Sequence, residues 1–391
     1  MSEKLAQYNI IYKFKRADDY ASDKKVQPDE SLRNIDCGLG SSPFGYPPEV
    51  DTALQNITPS LLNEYPNDPY SESLSHLVKD RFHLKKSTSV FFGGAGSYGL
   101  LASLLSDMVK VGAIVNGIEV VGAGPQFTNI KILSQRAQIP YHPLTPDIGL
   151  PYEEKIDMLI KNRERAYNPA IVYIDNPNNP TGATVCFNTL CELSEATAKK
   201  DLLIIDEAYG DAVPDESSAF RLADIYPHVV ALRSISKTVG LASPRLGYMA
   251  MSGYTAKAYE NLQLVFSLDS LTQLIGHAVL QPEVLASFLP KVREMTTQAK
   301  CSFTQMLNTH GVETFSTQPS VSILLARANQ NFFENLKQIN ICTESGATFK
   351  PTHPAMDCSY VRFRIPADQK DITEIGDRLE MISQHNSVNN G

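Results

Sequence analysis

Five short runs, strongly apolar and most of them ending in polar chemistry, constrain this chain more than any other feature. Leu202-Leu203-Ile204-Ile205 is the plainest of them. A strand sends successive side chains to opposite faces, so four aliphatic residues in a row leave no face for water. Related runs are Ser89-Val90-Phe91-Phe92, Ile118-Glu119-Val120-Val121, Ile171-Val172-Tyr173-Ile174 and Val229-Val230-Ala231-Leu232. Between them stand an apolar run over 99–111 and helical patterns over about 126–137 and 187–200. Strands separated by helix-length segments are joined by crossovers, which gives a mainly parallel sheet covered by helices on both faces. The expected class is therefore α/β.

Beyond about residue 285 the texture changes. A helical pattern over 283–308 leads into a strand candidate at 320–326, a helix near 330–338 and a second strand candidate at 359–365. A closing helix carries Ile372, Ile375, Leu379 and Ile382 at helical spacing. This reads as a smaller α+β domain, and 391 residues exceed what one core of roughly 250–300 residues accommodates. The expected division is an N-terminal arm or part of the small domain over 1–46, a large domain over 47–285 and a small one over 286–391.

The formal net charge of −8 and a pI near 5.6 come without a clustered basic face, which excludes a nucleic-acid binder. Met1-Ser2-Glu3-Lys4 opens no apolar signal segment, and no run of about 18 apolar residues exists to cross a membrane. Six scattered cysteines, among them Cys186 and Cys191 with no second pair to complete a metal set, point to no metal and to a reducing compartment. A cytoplasmic protein is expected.

Polar chemistry gathers where the apolar runs end, the place where open α/β sheets bind ligands. Ser234-Ile235-Ser236-Lys237 is followed by Arg245-Leu246-Gly247. Most lysines are solvated surface groups. One that shares a segment with two hydroxyls and an arginine suits a phosphate-bearing ligand and, with its pKa depressed, imine formation. Asp206, in Asp206-Glu207-Ala208-Tyr209, is a carboxylate at a buried strand end and calls for a cation, either a protonated ring nitrogen or a local structural partner. Asp175-Asn176-Pro177-Asn178-Asn179-Pro180-Thr181-Gly182 is a rigid turn that positions Asn179, or a plain loop. Gly94-Ala95-Gly96-Ser97-Tyr98 opens a helix, where backbone amides bind phosphate or where glycine permits close packing.

Together these segments resemble the fold-type I pyridoxal-phosphate (PLP) family, specifically the class I/II aminotransferases, from about residue 35 to 380. The motifs that carry the resemblance are Asn179-Pro180-Thr181-Gly182, Asp206-x-Ala208-Tyr209, and Ser234-x-Ser236-Lys237 with Arg245-x-Gly247, in family order. The resemblance implies PLP as cofactor, with Lys237 as Schiff-base lysine and proton shuttle. It implies Asp206 on the pyridine nitrogen, Asn179 and Tyr209 on the ring's 3-oxygen, and Gly96, Ser97, Tyr98, Ser234, Ser236 and Arg245 at the phosphate. Tyr98 departs from the family's usual residue there. Phe127 would stack on the ring, or serve as an ordinary core residue. Tyr65, in Tyr65-Pro66, would reach the phosphate from the second subunit of a homodimer, or be a turn tyrosine. Arg362 would take the substrate carboxylate, with Arg364 either beside it or salt-bridged elsewhere. Gly38 and Leu39 belong to a segment resembling the family's N-terminal active-site strand, in which Ser42 replaces the usual Asn before proline. Asp36 is a candidate partner for a cationic substrate, or a paired structural acid.

The implied activity is amino-group transfer between a small L-amino acid and a 2-oxo acid. The rival is elimination, replacement, cyclisation or decarboxylation on the same apparatus. A non-catalytic PLP-binding regulator is the third reading, opposed by the retained Lys237 and by a resemblance that starts too early to leave room for a DNA-binding module.

Overall fold

The computed structural model describes residues 29, 31–40, 42–110 and 117–388. Most of the arm expected over 1–46 lies outside the described residues. The strands are β1 (Ile35–Asp36), β2 (Ser89–Gly93), β3 (Glu119–Val121), β4 (Ala170–Asp175), β5 (Leu202–Glu207), β6 (Val229–Ser234), β7 (Gly247–Met251), β8 (Glu313–Thr314), β9 (Ile323–Arg327), β10 (Ile341–Cys342), β11 (Glu344–Ser345) and β12 (Tyr360–Arg364).

Six of them form one sheet in the order β2-β7-β6-β5-β4-β3. The pairs among β3, β4, β5 and β6 are parallel, as the crossover pattern requires, while β7 runs antiparallel to both its neighbours. The two-faced apolar runs do what their composition demands. Val172, Leu203 and Ala231 join one core with Leu190, Leu193 and Phe220. Their strand neighbours Ile171, Ile204 and Val230 join a second core on the opposite face with Leu101 and Leu104. Each aliphatic side chain buried in this way contributes about 1.5–3 kcal/mol, so the sheet is the main store of stability.

β7 is absent from the sequence expectation, as are the helices Tyr152–Arg165 and Ser270–Val279. No helix separates β6 from β7, so the strand lacks the alternation that marks the others.

A second sheet, in the order β11-β12-β9-β8, is antiparallel throughout. β9 starts at Ile323 rather than at 320, because the preceding residues form a turn closed by Val321 N–H to the Gln318 carbonyl at 3.1 Å. β1 pairs in parallel with β10, Ile35 opposite Ile341, and Ile35 and Cys37 are buried in the core that also holds Phe303, Leu307 and Phe363. The long helix Pro282–Thr309 serves both bodies: Leu285 and Leu289 pack into the large core, Phe303 and Leu307 into the small one.

Candidate active site

The carboxyl ends of β4, β5 and β6 open onto a cavity of about 590 Å³, roofed by residues 344–351 and by Arg362 of β12. Lys237 lies on its wall just after β6, with Nζ 5.4 Å from the centre of the Tyr209 ring. Burial, and then the Arg362 and Arg245 guanidiniums, pull the Lys237 amine down to about 8. A neutral, nucleophilic amine is therefore within reach near neutral pH.

Asp206, 4% exposed, accepts the Tyr173 hydroxyl at 3.0 Å and the Ala208 N–H at 2.9 Å. Burial still pushes its carboxyl up to about 6. A cation placed beside it would restore the charged form. One strand away, Asp175 is the register partner of Asp206. Its carboxylate takes the Phe127 N–H, the Asn179 N–H and the Asn178 Nδ2, each at 2.9 Å. These three bonds pin the Phe127 loop and the Asn178-Asn179 turn to one strand end, and both Phe127 and Asn179 line the cavity. Burial raises Asp175 to about 7 against the pull of those donors.

At one end of the cavity Ser97, Tyr98, Ser234, Ser236 and Arg245 come together. The Ser234 hydroxyl donates to Ser236 Oγ at 2.8 Å, and Arg245 Nη1 reaches Ser236 Oγ at 3.2 Å. Arg245 is itself tied back by its carbonyl, which accepts the Gly96 N–H at 2.7 Å at the start of helix Gly96–Lys110. Gly96 has φ +69°, and a Cβ on Gly247 would stand 2.3 Å from the Gly96 carbonyl carbon. Glycine at 247 is what lets β7 press against the helix start, which brings that start beside the two hydroxyls and the guanidinium. The Tyr98 hydroxyl is engaged by Arg136 at 3.3 Å.

At the other end stands Arg362, 5% exposed. Its Nη1 donates to Asn179 Oδ1 at 3.1 Å and its Nη2 to the Gly38 carbonyl at 2.5 Å. Leu39 adjoins it on the cavity wall. Arg364 turns to Asp36 instead, bonding its carbonyl and pairing with Oδ2 at 3.5 Å. Asp36 is thus the paired structural acid. Tyr65 is 79% exposed and stacks on Phe266, 4.8 Å between ring centres, apart from the cavity of its own chain.

Three residues of the site escaped the sequence: Asp175 as the organiser of two loops, Tyr173 as the donor to Asp206, and Glu344. Glu344 lines the cavity and pairs with Arg362 Nη2 at 2.5 Å. Asp175 stood in a quoted motif and was legible as the first polar residue after an apolar run; Glu344 had no such signal.

A family model for aminotransferase class I and II matches residues 35–374. The chain belongs to this family. It is a PLP-dependent aminotransferase, since the family depends on that cofactor. An aromatic amino acid aminotransferase of Thermobifida fusca is 31% identical to it over 267 residues, 66% of this chain and 68% of the relative. The histidinol-phosphate aminotransferase of Clostridium acetobutylicum shares its fold at a TM-score of 0.74 and 18% identity, covering 90% of this aminotransferase and 99% of that chain. An L-threonine-O-3-phosphate decarboxylase of Porphyromonas gingivalis does so at 0.71 and 15%, with coverage of 90% and 99%. Fold likeness at that distance leaves substrate and residue roles to the site.

The residues present fit the cofactor. Among the described residues the buried Tyr209 hydroxyl, on a side chain that lines the cavity, has no hydrogen-bond partner, and burial holds it up at about 12. The hydroxyl and guanidinium cluster suits a phosphate, and Asp206 suits a protonated ring nitrogen.

Proposed function

We propose that this aminotransferase works on a small L-amino acid, with Lys237 as the covalent anchor and proton carrier and Arg362 as the seat of the substrate carboxylate. The observation that carries the reading is the shared bond of Arg362 and Asn179 in one cavity with Lys237, whose amine is lowered to about 8. Asp206 would hold the pyridine nitrogen protonated, Tyr209 and Asn179 would bond the 3-oxygen, and Phe127 would cover the ring face. Gly96, Ser97, Tyr98, Ser234, Ser236 and Arg245 would hold the phosphate. When bound, the cofactor supplies an electron sink for charge developing at the substrate α-carbon. Lys237 Nζ would take the proton from the substrate α-carbon and hold it for return, while Arg362 and Asn179 would fix the carboxylate so that the α-hydrogen faces the lysine. Gly38 would hold Arg362 in place through its carbonyl, and Leu39 would border the substrate on the cavity wall.

The division into segments 1–46, 47–285 and 286–391 is part of the same proposal, with the first joining the last through β1 and β10. So is a cytoplasmic homodimer. What favours the dimer is the exposed apolar surface around the Tyr65–Phe266 stack, flanked by Leu62, Leu264 and Val265. Among the described residues no helix is long and apolar enough to cross a membrane.

The test mixes PLP-loaded protein with single amino acids and no keto acid. The expected result is a visible band that bleaches and stays bleached with one equivalent of keto acid formed. A band that recovers while the amino acid turns over many times would replace transamination with elimination, cyclisation or decarboxylation.

A further inference from the structure

Resting on that reading of Arg362, we infer that Glu344 selects substrates with a cationic side chain. The geometry is unusual for a carboxylate seat. Arg362 already has Nη2 against Glu344 Oε2 at 2.5 Å and against the Gly38 carbonyl, and Nη1 against Asn179. Glu344 is 8% exposed, and its other oxygen takes the Thr348 hydroxyl at 3.2 Å. The strand pairing fixes the contact, because Glu344 and Arg362 are register partners across β11 and β12.

Charge balance then decides what else must enter. The lining acids are Asp175, Asp206 and Glu344, and the lining cations are Lys237, Arg245 and Arg362. Asp175 is satisfied by three N–H donors. On the proposed reading Asp206 would hold the ring nitrogen, Arg245 the phosphate and Lys237 the cofactor's carbonyl carbon, so none of them is left to balance Glu344. Once a substrate carboxylate seats on Arg362, two carboxylates share one guanidinium in a buried cavity. The substrate's α-amino group is taken up at the Lys237 end, so at the Arg362 end one negative charge is left over locally, and leaving it there unpaired is costly. A substrate that carries a second cation, on its side chain, resolves the imbalance. Glu344 stands beside the carboxylate seat, so that cation must sit on a flexible side chain long enough to fold back toward its own α-carboxylate. The chemical class is therefore the long basic amino acids, with a terminal amine or guanidine.

The test titrates the PLP-loaded protein with L-ornithine, L-lysine, L-arginine, L-norleucine and L-glutamate. Dissociation constants are read from the shift of the cofactor band, and products by mass spectrometry. At least one basic amino acid is expected to bind about tenfold or more tightly than norleucine. In a PLP-loaded Glu344→Gln variant that ratio falls toward one, and Glu344→Asp, which keeps the charge, retains part of it. Norleucine or glutamate binding as tightly as all three basic amino acids would overturn the inference. So would a loaded Glu344→Gln variant that keeps the wild-type ratio. A basic preference with no keto acid formed would sink the transamination reading and leave the role of Glu344 standing.

Discussion

Lys237 is the proposed anchor of the cofactor, and its environment makes a pH prediction. Its amine is lowered to about 8, so below that pH it is protonated and cannot attack a carbonyl; above it the neutral form dominates. The rate at which apo-protein captures added PLP is therefore expected to rise with pH through a midpoint near 8, not near the ordinary lysine value. Borohydride reduction followed by peptide mass analysis is expected to locate the cofactor on Lys237, and Lys237→Ala to lower turnover by roughly 10²- to 10⁴-fold. Asp175 makes a prediction of another kind. Asp175→Ala strands three buried donors, each worth about 1–3 kcal/mol, so both thermal stability and PLP affinity fall, with Asp175→Asn between the two. These residues were legible to different degrees for a physical reason. Lys237, Asp206 and Asn179 sit in or beside strand ends, where local chemistry betrays the ligand, whereas Arg362 lies in the middle of β12 and was legible only through the family resemblance. Glu344 acquires its meaning only from pairing across β11 and β12, and a two-residue strand leaves no periodic trace.

At the level of elements, the parallel core was readable because burial on both faces forces unbroken apolar runs. β7 was not, although all five of its residues are buried, because it returns antiparallel without a crossover helix. Its first residue explains why the loop between β6 and β7 matters. Gly247→Ala would place a Cβ 2.3 Å from backbone of the helix start, where no side chain can yield. The expected loss is about 1–3 kcal/mol of stability with a weakened hold on PLP, measured as a lower melting temperature and a raised cofactor dissociation constant. The helix Pro282–Thr309 was legible nearly to its ends, yet its sequence does not announce that its two halves belong to different cores.

For the whole molecule, the proposed homodimer makes the sharpest claim at Tyr65. If its hydroxyl completes the site of the other subunit, Tyr65→Ala and Lys237→Ala are each impaired alone. Mixed and reassembled in equal amounts, they yield hybrid dimers with one intact site each, so about a quarter of all sites regain wild-type function. Assays of the mixture against each parent decide it, and no recovery would place Tyr65 outside the neighbouring site.

The pairing of β1 with β10 bears on how the chain is made. Ile35 finds its partner at Ile341, and Cys37 its place among Phe303 and Phe363, only when nearly all of the polypeptide has left the ribosome. Closing so long a loop is entropically slow, so the second core is the last to assemble. Until then the nascent chain carries an unpaired leading strand ahead of a finished parallel sheet. Synthesis halted before residue 341 would release a molecule with most of its cavity wall in place and Arg362, the proposed seat of the substrate carboxylate, missing.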